Sequence, residues 1–189
     1  MIKILFQSSL LALVFSGVAV AAEPTAFALA KEGNRYVGEQ AKDKIVQIRS
    51  EKSIGGLTPV IWYVVYYDST ATFKSVEVKF GAGKMLDVKR PFRLVEPVTG
   101  LDKQLPKEKL RIDSDKAIQI ATKEPILEKL TIKAARLKLE RWEEQPVWKV
   151  RLWAAKIQKP NEQADLGEIF LSAEDGKVLK NDLKISRVD

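Results

Sequence analysis

The chain has 189 residues, with 32 Lys+Arg against 25 Asp+Glu for a formal net charge of +7, and it contains neither histidine nor cysteine. Those absences exclude Ser-His-Asp and Cys-His triads, histidine-containing zinc sites, disulfides and thiol redox chemistry built from its own side chains. Counted from Glu23, the part ending at Gly100 has 12 basic and 9 acidic residues and the part from Leu101 has 19 and 16, so the excess is even and predicts no basic stripe for nucleic acid.

In chain order, Lys3 is followed by an apolar run over residues 10–20 and by small residues ahead of Glu23-Pro24. This pattern predicts a secretory signal peptide over residues 1–22, cleaved after Ala21 or Ala22, and a periplasmic or secreted protein. The run is shorter than the ~18–20 apolar residues of a spanning helix. Phe27, Ala30, Val37 and Ala41 then approximate a helical stripe over residues 25–40, which Gly33-Asn34 should interrupt.

Residues 44–50 (KIVQIRS) alternate, with Val46 and Ile48 expected on one side and Ile45, Gln47 and Arg49 on the other. After a turn-rich stretch, residues 60–67 (VIWYVVYY) form an apolar and aromatic run of strand length with high β propensity. Trp62, Val64 and Tyr66 should face the core. Tyr63, Val65 and Tyr67 should either pack on another part of the chain or form a binding patch, burial being the favoured alternative. Val76, Val78 and Phe80 predict a third strand that ends at Gly81-Ala82-Gly83. The prolines and terminal glycine of residues 90–100 (RPFRLVEPVTG) mark a linker, placing a boundary near Gly100.

Asp113 or Ser114 should cap a second helix, with Asp115 favourably placed against its dipole. Pro125 should stop or restart that helix. Ala135, Leu137 and Leu139 alternate with Arg136, Lys138 and Glu140, and after the Glu143-Glu144 turn Trp148, Val150 and Leu152 alternate with Lys149, Arg151 and Trp153. The basic and aromatic face formed by Lys149, Arg151 and Trp153, extended by Arg136 and Lys138, is a second candidate binding surface. Residues 167–179 (GEIFLSAEDGKVL) close the pattern with a strand carrying Ile169 and Leu171, and then a turn at Glu174-Asp175-Gly176.

Both parts therefore read helix, strand, strand, strand. Trp62 matches Trp148, and residues 83–86 (GKML) match residues 176–179 (GKVL). The expected fold is α+β, two tandem αβββ units over residues 23–100 and 101–189, each with a helix on an antiparallel sheet. Residues 114–121 (SDKAIQIA), 146–152 (PVWKVRL) and 169–179 (IFLSAEDGKVL) resemble the PepSY domain family, over residues 112–183. The first part departs from that pattern where Phe80-Gly81-Ala82-Gly83 replaces the acidic turn.

The resemblance implies a cystatin-like arrangement and a role in binding protein segments, peptidase inhibition among them. No catalytic residue, cofactor or metal site is expected. Adjacent Glu143-Glu144 point to opposite faces of a solvated turn, and Asp175 lacks the further oxygen ligands of a calcium loop. The expected function is non-enzymatic binding of a protein or peptide through Tyr63, Val65 and Tyr67 or through Lys149, Arg151 and Trp153. The alternative is a structural or assembly factor of the cell envelope, attracted to acidic polymers or lipids.

Overall fold

The computed structural model describes residues 23–90 and 103–189. The expected signal peptide and the boundary near Gly100 lie outside the described residues. Helix α1 (Ala26–Gly33) starts at Thr25, whose hydroxyl accepts a hydrogen bond from Ala28 N at 3.4 Å. It stops at the predicted glycine, where the chain passes close to Tyr66: a Cβ on Gly33 would lie 2.1 Å from the Tyr66 Oη. Helix α2 (Ser114–Thr122) is capped by Asp113. Pro125 begins a separate short 3-10 turn, Pro125–Leu127, because its ring cannot continue the helix above it.

The strands are β1 (Ile45–Ser50), β2 (Ile61–Tyr67), β3 (Ser75–Gly81), β4 (Lys84–Lys89), β5 (Ile132–Trp142), β6 (Gln145–Ala155), β7 (Gln163–Ser172) and β8 (Val178–Asn181). They form a single eight-stranded sheet in the order β4-β3-β2-β1-β5-β6-β7-β8, every neighbouring pair antiparallel. The expectation of two tandem helix-plus-sheet units is thereby overturned: one continuous sheet dominates and helix accounts for only 18% of the described residues.

The joint is the pairing of β1 with β5, through Gln47↔Glu140, Ile48↔Leu139 and Arg49↔Lys138. Ser50 and Ser53 extend it, their hydroxyls accepting from Leu137 N and Ala135 N at 2.9 Å each. A separate unit would leave the β1 edge and the β5 edge with rows of unpaired backbone groups, and joining them satisfies both. The expected return of Val178 and Leu179 after the Gly176 turn becomes β8, paired onto β7, whereas β4, which was not expected, leaves the Gly83 turn and pairs back onto β3.

One hydrophobic cluster spans the molecule. It joins Leu29 and Ala30 of α1, Ala117, Ile118 and Ala121 of α2, and the inward side chains Trp62, Val64, Tyr66, Leu137, Trp148 and Ile169. Phe27 of α1 stacks on Trp148 of β6 with ring centroids 6.1 Å apart, so the N-terminal helix packs on a C-terminal strand. Both core tryptophans satisfy their indole N–H on a backbone carbonyl, Trp62 on Pro59 at 2.9 Å and Trp148 on Ile112 at 2.7 Å.

A β-bulge in β1 alters the predicted facing. The register runs Ile45↔Tyr66 and then Gln47↔Val65, leaving Val46 as the extra residue. Ile45 and Ile48 consequently join the main core, whereas Val46 lies on the opposite face against Val65 and Tyr67.

Candidate functional site

Both helices pack on one face of the sheet, α1 on β1 and β2 and α2 on β5, β6 and β7. The other face carries no helix among the described residues. Strand alternation decides what that face displays: the residues between the core positions of each strand point outward, and in this chain they are mostly charged or aromatic. The registers align them into one row across seven strands, Lys79, Tyr63, Arg49, Lys138, Lys149, Phe170 and Lys180.

Like charges directly opposite one another on neighbouring strands destabilise a sheet. Here the carboxylates of adjacent positions offset that repulsion. Glu140 lies 2.9 Å from Lys138 and 2.7 Å from Lys149, and Glu77 lies 2.7 Å from Arg49. Asp165 holds Arg151 at 2.6 Å, and Glu168 stands 3.7 Å from the same guanidinium. Burial pushes the Glu140 carboxyl up, but the two lysines outweigh it and hold the group below the ordinary glutamate range. Asp165 behaves alike, burial raising it and Arg151 with the Gly167 N–H bringing it lower overall. Both carboxylates are thus set to stay ionised at neutral pH, which suits ion pairing and not proton donation.

The predicted binding residues all fall on this face, but they do not act as two separate triplets. Val65 is fully buried beneath Val46 and Tyr67, in a small apolar cluster built by β1 and β2 themselves. Lys149 is held by Glu140 and sits 5.1 Å from the Phe170 ring centroid. Tyr63 and Trp153 are brought together, half-buried, as lining residues of one cleft of about 420 Å³ that also involves Arg49, Lys52, Glu51 and Arg136. Their strands are three spacings apart, about 14 Å at the usual ~4.8 Å between strands.

Within the cleft, the Arg49 guanidinium lies 4.0 Å from the Tyr63 ring centroid and the Lys52 ammonium 4.5 Å from that of Trp153. The Tyr63 hydroxyl donates to Glu51. The sequence reading singled out neither Arg49 nor Lys52. Arg49 stands opposite Tyr63 on β2 and is aligned with the β5 and β6 residues only through the β1–β5 joint, and Lys52 follows the strand in the connecting segment.

Neither a protein-family model, nor a curated protein, nor a solved structure matches the chain. The side chains themselves must carry the functional reading. Among the described residues no group of three or more Asp or Glu side chains is placed to hold a metal ion, and no helix is long and apolar enough to cross a membrane. The turn residues Glu143 and Glu144 lie exposed at the tip of the β5–β6 hairpin with φ of 48° and 64°, away from the cleft. Asp113, weighed in the sequence as a helix cap, accepts from Ser114 N at 2.6 Å and also from Phe27 N at 3.1 Å, so it serves both helices. A second concavity of about 460 Å³ lies on the helix side, lined by Phe27, Ala30, Ile45 and Ile48, with the Lys107–Asp43 pair at 2.6 Å among its polar residues.

Proposed function

We propose that the protein is an exported, non-catalytic binding protein of PepSY type that holds a segment of another protein on the open face of its sheet. The observation supporting this most directly is the convergence of Tyr63 and Trp153 in one cleft, on the face that no helix covers among the described residues. Half-buried aromatic rings flanked by cations are the side chains that most often anchor protein interfaces, because they supply contact area with little rotamer entropy to lose. Nearby Arg49 and Arg151 are tied to Glu77 and Asp165, which fixes part of this surface before anything binds.

A photo-cross-linking side chain placed at position 153, in the protein expressed in its own host, tests this reading. The expected result is a discrete protein adduct at position 153 and none when the same group replaces the exposed Lys116 on the helix side. Adducts only to lipid or polysaccharide would favour the envelope-assembly reading instead, and equal labelling at the two positions would remove the open face as the site. A slowed co-exported peptidase in the presence of the protein is the narrower expectation of an inhibitory role.

A further inference from the structure

The cations of the open face differ in how they are matched. Arg136 on β5 stands directly opposite Arg151 on β6, a like-charge pairing that the fold relieves only on one side, since Asp165 and Glu168 both attend Arg151. Arg136 is exposed and makes no hydrogen bond or ion pair among the described residues. Lys52, also exposed, lies over the Trp153 ring and makes no hydrogen bond or ion pair among the described residues. Glu51 is the one carboxylate lining the cleft; it accepts from the Tyr63 hydroxyl and lies 4.0 Å from Lys79. The cleft therefore presents Arg49, Lys52 and Arg136 against one acid, and two of those three cations have no acidic partner.

We infer that this cleft binds a carboxylate of the partner, carried on an acidic peptide segment, with the Arg136 guanidinium as its principal anchor and Lys52 beside it. The inference rests on the proposed binding function and names the chemistry of what is bound. A planar guanidinium with unused donors matches a carboxylate in a bidentate fork. Ile54 argues for a protein occupant over an anionic glycan. Two residues beyond Lys52, it is 91% exposed, and the preceding Ser53 is fixed by hydrogen bonds to Ala135 and Gly56. An exposed aliphatic side chain two residues from Lys52 suits an apolar neighbour of an acidic residue and offers little to a sugar.

The test is a titration of the isotopically labelled protein with an N-acetylated, C-amidated hexapeptide, Glu-Leu-Glu-Glu-Leu-Glu, and with its Gln-for-Glu counterpart. Resonance shifts are expected at residues 49–54, 136 and 153 with the acidic peptide, binding at least tenfold weaker for the Gln peptide, and a similar loss for Arg136→Gln. That variant's unchanged spectrum elsewhere would show that the fold is kept. Equal binding of the two peptides, an unaffected Arg136→Gln variant, or no binding at millimolar peptide would each overturn the inference. So would a sulfated polysaccharide that shifts the same residues at lower concentration than the peptide. A protein adduct at position 153 alongside any of these results would leave the binding function standing and remove only its acidic ligand.

Discussion

At the scale of single residues, Gly33 and Tyr66 show how closely the helix seats on the sheet. Tyr66 is fully buried and its hydroxyl donates to Ala30 O at 2.7 Å, so the ring has no room to retreat from a Cβ built 2.1 Å away on Gly33. Burial also pushes the Tyr66 phenol up from its ordinary value, keeping it a neutral donor. Gly33→Ala is expected to destabilise by about 1–3 kcal/mol through overpacking, and Tyr66→Phe by about 1–2 kcal/mol. The double variant should lose less than the sum, because removing the hydroxyl frees the space; strictly additive denaturation midpoints would contradict the packing account.

Glu140 supplies the residue-scale pH dependence. Its folded carboxyl lies below the ordinary value of 4.5, so its stabilising contribution is present above about that pH and fades as pH falls through the lowered value. Glu140→Gln should cost on the order of 1–3 kcal/mol at neutral pH, and the gap to the unaltered protein should narrow in acid. A gap that widened on acidification would reverse the sign of this assignment.

At the scale of elements, the start of α2, the Asp175-Gly176 turn, the apolar run of β2 and the alternating strands β5 and β6 were legible because cap chemistry, β propensity and side-chain period encode them. The β1 bulge was not: an extra residue in a strand exchanges the faces of Ile45 and Val46 without altering their apolar character. Nor was the start of β7: residues 156–165 (KIQKPNEQAD) read as a polar loop, yet the last three of them pair with the end of β6. Gly167 belongs there because its φ is +101° and a Cβ would meet the Asp182 carbonyl oxygen at 2.6 Å.

The meeting of α1 and α2 was equally hidden, since nothing local announces that Ser114 Oγ accepts from Ala26 N at 3.0 Å while Asp113 accepts from Phe27 N. Two helix N-termini, each partially positive, share one anionic cap. Asp113→Ala is therefore expected to cost about 1–2 kcal/mol and to reduce hydrogen-exchange protection in α1 as well as α2. Loss confined to α2 would show the cap to be local.

At the scale of the whole molecule, the repeated order of elements suggested two units, whereas the backbone joins them into one sheet over one core. Edge pairing uses main-chain groups that every residue has, which is why the β1–β5 joint left no signature in the side chains. The consequence is thermodynamic. Trp62 and Trp148 lie in the same cluster on opposite sides of the joint, and Phe27 reaches across it, so unfolding should be a single cooperative step, with calorimetric and van't Hoff enthalpies equal. Two resolved transitions would restore independent units. The candidate cleft depends on the same joint: Tyr63 and Trp153 were each visible in the sequence, but only the pairing of β1 with β5 puts them on opposite walls of one site.

The most direct test of this account is a structure of the protein bound to the partner segment recovered by cross-linking at position 153. The segment is expected on the open face between Tyr63 and Trp153, with a carboxylate on the Arg136 guanidinium. A partner seated on the helix side, or paired along the outer edge of β4 with the cleft empty, would contradict it.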